Sequence, residues 1–275
     1  MPEKCFFDVT KLSGQDVIEY PGFFAEFYDF IYEKIRSNAD VGFYLREINR
    51  TGGKVLEIGT GTGRIMVEAR KLGADIYGID SSAAMIDVLR GKLPEDEHNR
   101  VFVKDARYMN LGIEFDLIIA PFRMFQHLID TEDQLVFLNN VFRHLKPGGR
   151  FVFDVFVPNP LIISNGIDNV VVFDGEYSPG KRLTLRTSSH SDISKQISDI
   201  TMEFLSDSGE GIQDKKWSSK IRYFYRYELE NLVRLSKLRL VNIYGDFNRG
   251  EITGDSEDYL AICEKDVLRL KNSVE

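Results

Sequence analysis

The apolar positions of this chain change spacing several times. Over residues 22–49, Phe23, Phe24, Phe27, Ile31 and Ile35 recur near helical spacing, and a second stretch, Val41–Ile48, follows Asn38-Ala39-Asp40. The period then shortens. Lys54-Val55-Leu56-Glu57-Ile58 is an apolar, β-branched run that stops at glycines, as a buried parallel strand does. Arg64–Leu72 returns to a helical pattern, ended by Gly73, which suits a left-handed C-cap. Asp75–Asp80 reads as a second strand and Ala83–Leu93 as a helix capped by Ser81 or Ser82. Val101–Lys104 and Phe115–Ala120 read as two more strands. Thr131–Leu145 predicts a helix closed by Lys146-Pro147-Gly148-Gly149, where proline forbids continuation and glycine permits the turn; Arg150–Val157 predicts a fifth strand. Strands alternating with helices mean a parallel sheet covered on both faces.

Past Pro160 the rhythm breaks. Val170–Phe173, Leu183–Ser188, Ile197–Leu205 and Ser219–Tyr225 look like strands joined by turns such as Ser178-Pro179-Gly180, with no helix between them. That pattern predicts an antiparallel insertion. Its alternating positions (Leu183, Leu185; Ile200, Met202, Phe204; Ile221, Tyr223, Tyr225) predict one apolar face that needs a cover. A helix over Tyr227–Leu238 and strands over Leu240–Tyr244 and Tyr259–Glu264 come next, with Arg249–Asp258 as a surface loop between the strands. The chain therefore divides into a core over 1–160, an insertion over 161–225 and a closing segment over 226–275.

Composition narrows the function classes. At 275 residues, 43% hydrophobic and 28% charged, the chain can bury a sizeable core without disulfides or metals. A net charge of -8 argues against a general grip on nucleic acid, which rests on basic side chains neutralising phosphate. Arg222, Arg226 and Arg234 form either a local basic patch or ordinary interspersed surface charge. No apolar run approaches the roughly 20 residues that span a bilayer. The N-terminal residues lack a basic region followed by an apolar block, so the expected compartment is the cytoplasm. Cys5 and Cys263 stand at opposite ends, as two reduced thiols do, and no Cys/His/Asp cluster has metal-ligand spacing.

The strongest chemical signal is Glu57-Ile58-Gly59-Thr60-Gly61-Thr62-Gly63-Arg64, directly after a strand and directly before a helix. Glycine lets the backbone turn sharply there and approach a ligand that a Cβ would obstruct, and helix N-terminal amides then face that ligand. Asp80 closes the second strand about 20 residues further on, where a carboxylate can accept ribose hydroxyl hydrogens. Asp105 closes the third strand in Val103-Lys104-Asp105-Ala106, where a carboxylate can receive an adenine amino group. Taken singly, each is also an ordinary helix cap or turn former. Together they lie at the carboxyl ends of consecutive strands, where open α/β sheets bind ligands.

On these residues the chain resembles the class I S-adenosylmethionine-dependent methyltransferases. Their first motif, an acidic residue, one intervening residue and Gly-x-Gly-x-Gly, is matched by Glu57, Gly59, Gly61 and Gly63. The resemblance puts the ribose-binding acid on Asp80 and the adenine-contacting Asp on Asp105. It implies a Rossmann-like, doubly wound α/β core with a seven-stranded sheet and an antiparallel last hairpin. S-adenosylmethionine is the implied cofactor, with Thr60, Arg64, Ser81, Ala106 and Ala120 as further contacts. The dinucleotide fingerprint Gly-x-Gly-x-x-Gly is not met, because the third glycine comes one residue early.

The acceptor side starts after the fourth strand, at Ala120-Pro121-Phe122-Arg123-Met124-Phe125-Gln126-His127-Leu128. It lacks the Asn/Asp-Pro-Pro-Tyr/Phe sequence of enzymes that methylate base or glutamine amides. It looks more like the corresponding stretch of sugar-amine N-methyltransferases, where a histidine falls at His127 and a helical tyrosine at Tyr28. His127 reads either as a proton acceptor or as a partner of a backbone carbonyl; Tyr28 reads either as a site residue or as one of several core aromatics. Tyr32, Arg123 and Phe125 are the remaining acceptor-side candidates. The expected acceptor is an N or O atom of a small molecule, and the insertion's apolar face is expected over the acceptor entrance, against a second subunit, or both. A cofactor-binding protein without catalysis and a methyltransferase acting on protein or RNA are the rival readings.

Overall fold

The computed structural model describes residues 20–35, 38–209 and 211–266; Cys5 and the N-terminal residues read for a leader lie outside them. Two helices, α1 (Gly22–Ile35) and α2 (Ala39–Thr51), precede strand β1 (Val55–Ile58). The chain then alternates through α3 (Met66–Lys71), β2 (Ile76–Asp80), α4 (Ala83–Arg90), β3 (Val101–Val103), β4 (Phe115–Ala120), α5 (Thr131–His144) and β5 (Leu145–Phe156). A short helix, α6 (Pro160–Asn165), leads into β6 (Ile167–Ser178), β7 (Lys181–Asp192), β8 (Ile197–Asp207) and β9 (Ile212–Arg222). Helix α7 (Arg226–Leu235), β10 (Arg239–Tyr244) and β11 (Asp258–Glu264) close the chain.

Seven strands form the central sheet in the order β10-β11-β5-β4-β1-β2-β3. β1 pairs in parallel with both β2 and β4, and β11 pairs antiparallel with β5 and with β10. This is the expected doubly wound sheet with its antiparallel last hairpin. All four residues of β1 are buried, as a central strand covered on both faces requires. Alternate residues feed opposite layers. Leu56, Ile58, Ile118 and Ala120 join the core under α5 and α7, while Val55, Leu117 and Ile119 join the one under α2, α3 and α4. The strand order reverses between β1 and β4, so the carboxyl ends of these strands open a crevice at the topological switch point.

Differences from the sequence reading have local causes. β5 starts at Leu145, not Arg150. The Pro147-Gly148-Gly149 kink is taken up as an irregularity in the ladder, with Phe115 opposite Leu145 but Leu117 opposite Arg150. α6 was not foreseen; Pro160 opens it and the Asn159 side chain caps it by accepting from the Leu161 amide at 2.9 Å. β9 begins at Ile212 rather than Ser219 and pairs with β8 along its length, although Gln213-Asp214-Lys215-Lys216 shows no apolar alternation. The Arg222–Arg234 charges are paired: Arg222 with Glu228, and Arg226 and Arg234 with Glu230. Arg249, at the start of the expected surface loop, reaches back to the buried Glu47. Cys263 is a buried thiol, unbridged among the described residues, whose pKa burial pushes up. Among the described residues no helix is long and apolar enough to cross a membrane.

The insertion is a separate four-stranded antiparallel sheet, in the order β6-β7-β8-β9. Leu183, Leu185, Met202 and Phe204 on its inner face pack against Phe24, Ala25, Phe27 and Ile31 of α1, with Met85 of α4. The cover for that face is thus α1 of the same chain. Tyr225 departs from the expected face and is half exposed. Helix α1 is tied to the glycine loop from the other side: Asp29 accepts from the Thr62 hydroxyl at 2.6 Å and from Lys92 Nζ at 2.5 Å. Lys92 also donates to the Thr62 carbonyl at 2.7 Å.

Candidate active site

The crevice at the switch point is a pocket lined by the loop after β1, the ends of β2 and β4, and residues of α1. Its floor is the loop after β1. Gly59 and Thr60 donate their amides to the Ile79 carbonyl at 2.8 and 3.0 Å, and Gly61 donates to Asp80 Oδ2 at 2.9 Å. Gly59, Gly61 and Gly63 have φ of 71°, 54° and 87°, a backbone region that side chains resist. Gly59 and Gly61 line the pocket, together with Glu57, Thr60 and Arg64. Gly63 does not. A Cβ there would overlap Leu89, so its task is close packing of the loop on α4.

Three carboxylates surround this floor. Glu57 is 3% exposed and accepts from Thr60 Oγ1 at 3.1 Å. Burial pushes its pKa up from 4.5 to about 8, outweighing the hydroxyl and Arg64. Asp80 accepts from the Ser82 amide at 2.8 Å as well as from Gly61, and burial again raises its pKa against these backbone donors. Asp105 is gripped by Arg107, which donates through Nη2 to Oδ2 at 2.6 Å and reaches Asp133 with Nη1 at 2.5 Å. Ser81, Lys104, Ala106 and Arg107 complete this side of the lining. Arg64 makes two hydrogen bonds to Asp40 and lies 5.1 Å from the Phe122 ring centroid.

Glu57 has a measurable signature. Its folded pKa is raised, so the stability it contributes is complete below pH 4.5 and is lost as pH rises through about 8. The melting temperature of Glu57→Gln is therefore expected to fall less than that of the unaltered chain across this window. Parallel melting curves contradict a protonated Glu57.

The roof comes from α1 and from Tyr20, two residues before it. Tyr28 and Tyr20 line the pocket. The Tyr20 carbonyl is held by the Ser82 hydroxyl at 3.2 Å, and its ring stacks on Trp217 of β9 at 4.8 Å between centroids. Its hydroxyl lies 3.4 Å from His127 Nε2. His127 Nδ1 is buried with no hydrogen-bond partner among the described residues. Burial pushes the ring down from 6.5 to about 4, opposed by the nearby Lys220 backbone. The ring is uncharged at neutral pH. Burial likewise raises the pKa of the Tyr28 phenol, keeping it protonated.

The wall after β4 differs most from the sequence reading. Phe122 and Arg123 have φ of 59° and 65°, so the chain reverses before a single 3₁₀ turn over Met124–His127. Pro121, Phe122, Met124, His127 and Leu128 line the pocket. Phe125 instead points into the core, 0% exposed against Phe137, Phe153 and Phe224. Ala120 is also core. Arg123 turns away to Asp258 at 3.3 Å and covers the Phe156 ring, beside a second cavity formed with the loop before β11. Tyr32 lies outside the lining, with its ring against Tyr28 and Phe122. Sequence reasoning missed Tyr20, Arg107, Phe122, Met124 and Asp154, the buried carboxylate that binds the turn. Of these, Asp154 had a readable signal: it is a lone charge within Phe151-Val152-Phe153-Asp154-Val155-Phe156.

Residues 55–149 match a family model described as a methyltransferase domain. A glycine/sarcosine N-methyltransferase from Halorhodospira halochloris is 28% identical over 158 residues, covering 54% of this chain and 58% of that protein. The chain spans about half the length of the curated relatives it matches. Among solved structures, an S-adenosylmethionine-dependent methyltransferase from Clostridium acetobutylicum superposes with a TM-score of 0.72 at 18% identity, covering 89% of this chain and 98% of that one. The sugar N-methyltransferase KedS8 of a Streptoalloteichus species gives 0.70 at 17% identity, covering 90% and 94%. The fold is that of these enzymes.

Proposed function

We propose that this chain, whose residues 55–149 match a methyltransferase domain, transfers a methyl group from S-adenosylmethionine to a nitrogen of a small-molecule acceptor. One observation carries the reading: the glycine loop, Asp80 and Asp105 line one end of a pocket whose other wall holds an uncharged, half-satisfied His127. The residues fit the cofactor. Gly59 and Gly61 allow close approach, Asp80 keeps lone pairs for ribose hydroxyls, and Arg107 holds Asp105 ready for an adenine amino group. When bound, S-adenosylmethionine supplies a sulfonium methyl group open to in-line displacement.

The chain's own residues then position and desolvate the acceptor. Tyr28 and Phe122 line the pocket, and an aromatic ring beside a positively charged group favours it by about 0.5–2 kcal/mol. Phe122 takes the place that sequence reasoning assigned to Phe125. His127 accepts a hydrogen bond from the attacking amine. The insertion serves as a lid, because β9 backs Tyr20 through Trp217 and the inner sheet face backs α1. A nitrogen acceptor is favoured because both KedS8 and the glycine/sarcosine relative are named as N-methyltransferases.

The test is incubation with methyl-labelled S-adenosylmethionine and a panel of small amines, amino sugars and amino acids included. S-adenosylhomocysteine should form, with the label on an acceptor nitrogen. Label found on hydroxyl oxygen or on added protein contradicts the acceptor class. Cofactor binding without S-adenosylhomocysteine formation on any acceptor contradicts catalysis.

A further inference from the structure

Asp154 lies near the carboxyl end of β5, 2% exposed in an otherwise apolar strand. Its Oδ1 accepts from the Phe122 amide at 2.9 Å and from the Tyr44 hydroxyl at 2.7 Å, and its Oδ2 accepts from the Arg123 amide at 3.0 Å. Phe122 and Arg123 are consecutive side-chain-bearing residues in the left-handed region, which neither adopts readily. A turn of this kind needs something that outweighs its strain, and two amides converging on one buried carboxylate do so. The turn sets the direction of three side chains. Phe122 is placed beside the Arg64 guanidinium, Met124 is packed so close to Gly59 that a Cβ there would meet it, and the 3₁₀ turn delivers His127 to the pocket.

The geometry points to Asp154 as a positioning residue: its carboxylate clamps the Pro121–Arg123 turn and thereby sets Phe122, Met124 and His127 in the wall of the site. This rests on the methyltransferase reading of the pocket. Tyr44 stabilises the carboxylate from α2 but touches neither turn amide, so the two roles separate by substitution. Asparagine at 154 keeps the volume and one acceptor, yet presents an N–H to the Arg123 amide, donor against donor.

The experiment measures S-adenosylhomocysteine affinity by calorimetry, and hydrogen exchange at the Phe122 and Arg123 amides, in the full chain. Asp154→Asn should weaken binding by about tenfold or more and speed exchange at both amides, whereas Tyr44→Phe should stay within about twofold on both. Adding Arg123→Gly to Asp154→Asn should recover affinity, because glycine accepts the left-handed backbone freely. This double variant also serves if Asp154→Asn folds poorly. Unchanged affinity in Asp154→Asn, equal losses in Tyr44→Phe, or no recovery with Arg123→Gly would overturn the assignment. If the unaltered chain binds no S-adenosylhomocysteine, the functional reading fails, and exchange at the two amides alone decides the clamp.

Discussion

Replacing His127 by asparagine is expected to lower turnover on an amine acceptor by about 10²–10⁴-fold at neutral pH, the range of a positioned acid or base. A protonated amine has no lone pair with which to attack carbon, so the site must take its proton or select the neutral form. His127 suits this because its ring is uncharged and its buried Nδ1 lacks a partner among the described residues. Its low pKa shapes the expectation. A histidine titrating near 6.5 would impose an acid limb just below neutrality; one pushed down to about 4 imposes none there. A base this weak does not hold the proton; the ring serves by accepting a hydrogen bond from the neutral amine, the form that can attack. Cofactor affinity should change little, since the contact belongs to the transition state. The deficit should shrink at high pH, where the amine loses its proton unaided. Turnover equal to that of the unaltered chain would make His127 structural, and equal loss at every pH would make it a positioning group.

Asp80→Ala should weaken S-adenosylmethionine binding by roughly 10–150-fold for each charge-assisted hydrogen bond removed, at about 1.5–3 kcal/mol apiece. The structure makes the effect larger than ribose contacts alone would. Asp80 also receives the Gly61 and Ser82 amides, so alanine releases the glycine loop and the first turn of α4 as well. The melting temperature without cofactor should therefore fall too. Calorimetry and melting curves on the same preparation check both effects. Intact affinity in Asp80→Ala would remove the carboxylate from the site.

The parts of the site that were legible in the sequence are those whose chemistry is local. Glycines after a buried strand, and aspartates closing the next two, mark the crevice because strand ends and left-handed turns restrict residue choice. Gly63 matched the motif for a packing reason, visible only once Leu89 stands against it. Ala120, still within β4, follows Ile118 into the core, and the wall after the strand was misread at Phe125. Two left-handed residues shift the phase of the side chains, and Phe and Arg give no local warning of such a turn. What holds the turn is Asp154, more than thirty positions away along the chain. Tyr20 enters the site through tertiary contacts with Ser82 and Trp217, which no periodicity encodes. Strand β9 was half hidden because β8 supplies its pairing while its own residues face solvent.

The central claim is that the crevice at the switch point is a site for S-adenosylmethionine, and thermal melting with added ligand tests it most directly. At a hundredfold excess over a micromolar Kd, S-adenosylmethionine should stabilise the chain by about 2.7 kcal/mol and raise its melting temperature, while NADH at the same concentration should not. A melting temperature unmoved by millimolar S-adenosylmethionine, or one raised by NADH instead, would contradict the account.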